Sequence, residues 1–135
     1  MSLHGGVLIA ALVWSLSPAL ALAAESLTVL TVDAEYLEST MPLYASIADD
    51  AKSAQVGADA VRRSDIDLAH ELRRSEVLIA LPEAIAEVAR SARADLVIDR
   101  AVARRLGEKS ARDVTREVER ILVAQFGQLP LEPGS

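Results

Sequence analysis

Cysteine is absent from the whole chain, which excludes a disulfide framework, a CxxC redox pair, a thiolate zinc site and a cysteine nucleophile. Aromatic side chains are nearly as scarce. Beyond Trp14 there are only Tyr36, Tyr44 and Phe126, so a wide core of bulky rings is excluded, and the 19 alanines of residues 24–135 favour closely packed helices. No excess of positive charge is present either: residues 24–60 hold seven acids against Lys52 alone, residues 61–135 hold thirteen of each sign, and the formal net charge is −6. A nucleic-acid binder carries a net basic face with stacking aromatics, and with both missing nucleic acid is set aside as a partner. The histidines are His4 and His70, so a metal centre would have to rest on carboxylates, and neither a metal nor a cofactor is expected. Gly5-Gly6 and Gly57 build no phosphate-cradling loop, and no Gly-x-Ser-x-Gly or Walker pattern occurs. Asp49 and Asp50 are adjacent, hence about 100° apart on a helix, and do not converge as an acid/base pair. Asp33, Asp95 and Asp99 flank strand-like segments, where capping and turn roles fit. The expectation is a protein that is not an enzyme, with no catalytic, cofactor-binding or metal residues.

What is present begins with a leader. Residues 5–24 carry no charge, the run VLIAALVW is followed by Ser15, Ser17 and Pro18, and Ala21, Ala23 and Ala24 supply an Ala-x-Ala cleavage pattern. Residues 1–23 therefore read as a signal peptide cleaved after Ala23, with export as the consequence. The uncharged stretch also approaches the roughly 20 residues of a bilayer span, which makes an uncleaved inner-membrane anchor the alternative.

The remainder reads as one domain. Residues 27–33, LTVLTVD, are β-branched with apolar side chains on both faces, a strand covered on both sides, by a helix and by another chain or sheet. Asp33 caps the turn AEYLEST, and Pro42 opens a helix. Leu43, Ile47, Ala51, Ala54 and Ala58 recur at helical spacing, Gly57 marks a hairpin tip, and Val61, Leu68, Leu72 and Ile79 form the stripe of a second helix. Pro82 is expected to kink or restart that helix. DLVID at 95–99 is the second strand, followed by a bend at Arg100-Ala101, an extended VARRL, a polar turn at 107–110 and a last helix with Val114, Val118, Ile121, Leu122 and Gln125 on one side. Asp113, Thr115 and Glu117 suit the start of that helix. Residues 128–135, QLPLEPGS, read as a disordered tail.

In this order of elements the chain resembles the Skp/OmpH family of periplasmic chaperones. The resemblance lies in LTVLTVDAEYLEST and, more specifically, in AIAEVARSARADLVIDRAVARRLGEKSARDVTREVERIL. There Asp95, Leu96, Val97, Asp99, Val102, Ala103, Asp113, Thr115 and Val118 match the family's DLVxD strand, VA extension and D-x-T-x-x-V helix. About half of residues 24–135 are covered by motif; the middle matches only as a helical hairpin. The resemblance implies an α+β fold in 24–130, with a small β body (26–41 and 91–127) completed as a barrel-like core by a homotrimer, and a projecting antiparallel hairpin arm (42–90). It places Val29, Leu30, Val32, Leu96, Val97, Ile98 and Val102 in the trimer body. It also implies ATP-independent holding of unfolded outer-membrane proteins in the periplasm, preventing their aggregation. With 42–90 as the arm, each helix is at most about 24 residues, or roughly 36 Å, shorter than family arms. Most of residues 43–81 is expected to project from the body with little contact to it.

Candidate client or lipid contacts are Leu43 and Ile47 on the arm and the doublets Arg62-Arg63 and Arg73-Arg74. Eleven residues return nearly to the same helical face, so the doublets suit one patch for anionic clients, lipopolysaccharide or anionic lipid. Equally, Asp59 stands four before Arg63 and Glu71 three before Arg74, the geometry of a solvated, ion-paired face. The alternative function is a structural adaptor, periplasmic or membrane-anchored, that uses the same trimeric hairpin scaffold to bind a folded envelope partner.

Overall fold

A computed structural model describes residues 27–127. The leader with its cleavage residues Ala21, Ala23 and Ala24, and the tail 128–135, lie outside the described residues. The fold mixes helix and strand: β1 (Val29–Val32), a wide π-helical turn (Tyr36–Thr40), α1 (Pro42–Gln55), α2 (Ala60–Ser91), β2 (Leu96–Asp99), α3 (Arg100–Arg105), β3 (Arg112–Asp113) and α4 (Thr115–Phe126). The strands form one parallel sheet in the order β2-β1-β3.

The two expected strand segments do lie side by side, with Val29 opposite Leu96 and Val32 opposite Asp99. Parallel strands need a crossover, and the helical pair α1 and α2 is that crossover. The third strand was not expected: two residues, Arg112 and Asp113, pair with Leu30 and Thr31. So short a segment leaves no alternation to read.

Leu30, Val32 and Val97 join Leu37, Met41, Leu43, Ile47, Val77, Leu81, Ile85, Val118 and Leu122 in one core. The opposite face holds Thr31, Ile98 and Ala103, also buried, under the short helix α3. Both covers thus come from this one chain, where a helix on one face and another chain or sheet on the other were expected. Leu30, Val32, Val97 and Ile98, expected in a trimer body, are 5% exposed or less before any second chain is added. Val29, Leu96 and Val102 remain half-buried.

Further expectations are corrected. Helix α2 runs unbroken through Pro82 for 32 residues. Pro82 is only partly buried, whereas Val77, Leu81, Ala84, Ile85 and Val88 on both sides of it are buried, so core packing keeps the two halves in line. The carbonyl of Leu78, which loses its donor, costs little where water reaches it. Pro82→Ala is expected to raise the unfolding free energy by about 1 kcal/mol in urea titrations, by restoring one helical bond on a helix already held by its neighbours.

The segment RAVARR, expected as a bend and an extended piece, is the helix α3, held to the sheet by buried Ala103. Its end and that of α2 use the same cap. Arg93 (φ 52°) and Gly107 (φ 75°) adopt the left-handed region, Ala94 N–H donates to Ala89 O at 2.9 Å and Glu108 N–H to Ala103 O at 2.9 Å.

The hairpin tip at Gly57 (φ 76°) is as expected, but its arms are unequal: α1 has 14 residues, about 21 Å, and α2 has 32, about 48 Å. The base of the hairpin is also part of the body, because Leu43, Ile47, Val77 and Leu81 belong to the core with the strands. Finally, the expected second-helix stripe faces outward. Val61, Leu68, Leu72 and Ile79 are exposed, while the row packed against α1 and the body is Ile66, Val77, Leu81, Ala84, Ile85 and Val88. In α4 the buried row is Thr115, Val118, Leu122 and Phe126, with Gln125 outside.

Candidate functional site

In an open parallel sheet, groups that act on ligands gather beyond the carboxyl ends of the strands. Here that edge carries a polar cluster. Asp33 directly follows β1, β2 ends in Asp99 followed by Arg100, β3 ends in Asp113, and α4 opens with Thr115. The Arg100 guanidinium sits between two carboxylates, 2.9 Å from Asp113 Oδ2 and 3.4 Å from Asp33 Oδ2. Thr31 Oγ1 donates to the same Asp113 oxygen at 3.0 Å, and Thr115 N–H donates to Asp113 Oδ1 at 3.1 Å. Asp33 N–H donates to Thr115 Oγ1 at 2.8 Å, and Asp33 Oδ1 receives Tyr36 N–H at 3.1 Å. Asp99 Oδ1 receives Ala34 N–H at 3.1 Å. Asp33 thus caps the wide turn as expected, and Asp99 also receives a backbone N–H.

The electrostatics follow from these contacts. Burial pushes the Asp113 carboxyl up, but hydrogen bonds from Thr115, Arg100 and Thr31 outweigh it and hold the group below the usual carboxylate value. The Tyr36 hydroxyl donates to Glu119 at 2.9 Å; that bond, with burial behind it, pushes the phenol up. Beside the cluster lies an open concavity of about 220 Å³ lined by Asp33, Tyr36, Arg100, Asp113, Thr115, Arg116 and Glu119.

Chemically, this is a latch. Arg100 and the hydroxyls are engaged with neighbouring backbone and carboxylates, and no buried side-chain polar atom lacks a partner among the described residues. No group of three or more His, Asp or Glu side chains suited to a metal ion occurs among them. At the other end of the sheet Asp95 Oδ2 receives Thr28 N–H at 2.8 Å, pinning the start of β1 to β2. Sequence reading singled out Asp33, Asp99, Asp113 and Thr115 one by one and missed Arg100, which joins Asp33 to Asp113. The available signal was an arginine directly following a strand whose partner strand ends in aspartate.

The expected contact residues fall in different places. Leu43 and Ile47 are each 5% exposed in the core and offer nothing to a client. The arginine doublets do not form one patch. Arg62 and Arg73 lie on one side of the buried pair Ile66 and Val77, Arg63 and Arg74 on the other, as the 100° step requires. Arg74 stacks over the Tyr44 ring at 5.8 Å instead of meeting Glu71. Arg73 lies 3.7 Å from Glu76. Asp59 uses its carboxylate to cap α2 through Arg62 N–H at 2.8 Å, while Arg63 reaches only its backbone carbonyl. Burial pushes the Tyr44 phenol up to about 12, and its hydroxyl donates to the Leu37 carbonyl, joining α1 to the wide turn. A second concavity of about 460 Å³ lies between the end of α2 and α4, bordered by Val88, Ala92, Ile121 and Ala124 with Glu87, Arg112, Glu117 and Arg120 at its rim.

No helix among the described residues is long and apolar enough to cross a membrane. Comparison with protein-family models, characterised proteins and solved structures gives no match.

Proposed function

We propose that the chain is a short-armed member of the Skp/OmpH family that works in the periplasm as a homotrimeric, ATP-independent holdase for unfolded outer-membrane proteins. The observation that carries this reading is the parallel, in-register pairing of VLTV with LVID across a helical hairpin, closed by the Asp113-Thr115 start of α4. Of this, the motif resemblance requires that the two strand segments, far apart in sequence, lie in the same small sheet. Half-buried Val29, Leu96 and Val102, with the outer edges of β2 and β3 that have no strand beside them among the described residues, are where subunits would meet.

The adaptor reading draws support from a different observation: with α1 at 14 residues and the hairpin base built into the body, little arm is left to surround a client. One experiment separates the two. The solution mass of the chain from residue 24 onward is measured alone and with an unfolded outer-membrane protein. Three chains that keep the client soluble in a defined complex are the expected result. A stable trimer that leaves the client to aggregate moves the assignment to the adaptor, and a folded monomer removes both.

A further inference from the structure

Helix α2 carries two apolar rows roughly 180° apart at 100° per residue. One is buried against α1 and the body. The other, Val61, Leu68, Leu72 and Ile79, is 74%, 60%, 55% and 77% exposed. Its spacing of seven, four and seven residues stays on the 3.5-residue seam of a two-stranded coiled coil, about 27 Å long. Asp65 and Ser75 occupy the remaining seam positions.

This seam is palindromic about position 70. Val61 and Ile79 lie nine residues to either side of it, Asp65 and Ser75 five, Leu68 and Leu72 two. The His70 side chain itself points away from the seam, two residues being about 200° of rotation. When two copies of α2 run antiparallel about this midpoint, Val61 of one meets Ile79 of the other, and Leu68 meets Leu72. Asp65 meets Ser75, whose hydroxyl donates to the carboxylate. On the flank Arg62, exposed, faces Glu76 of the second copy, which in the single chain lies 3.7 Å from Arg73. The parallel alternative sets Asp65 against Asp65 and Glu71 beside Glu76. Charge therefore selects the antiparallel register.

We infer that the exposed row of α2 is a self-association surface, and that its occupant is α2 of a second copy packed antiparallel across a two-fold axis. Each side chain that crosses the seam does so twice, as an isologous contact requires. The row offers on the order of 450 Å² per copy, about half of what a stable dimer buries on each side. The pair is accordingly concentration dependent. Glu71 meets Glu71 of the second copy at the axis, a like-charge contact that weakens it further. The inference is independent of any trimer formed through the sheet; if both exist, α2 pairs join separate trimers.

Because the chain has no cysteine, one introduced thiol is unique. Val61→Cys and Ile79→Cys, both at exposed positions, are oxidised separately and as a mixture. In the antiparallel register like positions lie about 27 Å apart, so the mixed disulfide is expected to form at least about tenfold faster than either homodimer. Leu68→Glu in both chains should erase that excess while the circular dichroism stays unchanged, and Glu71→Gln should increase it about twofold. Cross-linking fastest with Val61→Cys alone, a mixture no faster than its components, or an excess that survives Leu68→Glu overturns the inference.

Discussion

Asp113→Ala is expected to lower the unfolding free energy at pH 7 by about 2 kcal/mol, which makes it the most damaging single change at the carboxyl edge of the sheet. The aspartate accepts from Arg100, Thr31 and Thr115, so its loss frees the end of β3, the start of α4 and the arginine together. The figure is kept low because the Asp113 and Arg100 side chains are 31% and 39% exposed, and water screens their attraction. Its pH dependence has a definite sign. A carboxyl held below its unfolded value stabilises the fold at every pH above that unfolded value, near 4, and the contribution is lost as pH falls through the lower folded value. The gap between the natural chain and the variant should therefore be full at pH 7 and shrink toward pH 2. Urea titrations of both at the two pH values measure it; a gap that does not change with pH would show that Asp113 acts through packing and not through its charge.

The second large effect separates two leucines of one helix. Leu81→Ala is expected to cost about 3 kcal/mol, since the side chain is 3% exposed within the core and its removal leaves a cavity that the sheet and α4 cannot close. Leu72→Ala, nine residues earlier and 55% exposed, should change stability by less than about 0.5 kcal/mol at chain concentrations too low for self-association. Thermal and urea unfolding of the pair checks which of the two apolar rows is core. Equal costs would mean that α2 is turned the other way.

That comparison also shows where sequence reading stops. Helical spacing identified α1, α2 and α4 because a 3.6-residue repeat over a dozen or more positions is a strong signal. It also identified Leu43, Ile47 and Ala51 as the inward row of α1, where apolar residues occupy one stripe only. Helix α2 has two stripes, and nothing local says which faces inward; the choice is made by residues of α1, β1 and α4 distant in sequence. Pro82 misled for a related reason, since its local cost is real and is outweighed by core contacts on both sides of it. At the carboxyl edge the individual caps were legible as Asp33 and Asp113, because capping is local chemistry. Arg100 was not, as its role depends on three strand ends arriving at one place.

The position of β1 has a consequence for the order in which the molecule is assembled. It is the central strand, yet Val29 pairs with Leu96, and Leu30 with Arg112, so neither neighbour exists until most of the chain does. Closing loops of 67 and 82 residues is slow beside the collapse of adjacent helices. Helices α1 and α2 need only the short turn at Gly57 to meet. A chain emerging from its N-terminus thus carries its most apolar strand unpaired while the hairpin is already taking shape. The fold is completed only when residues 112–115 deliver the last strand and the carboxylate that locks it.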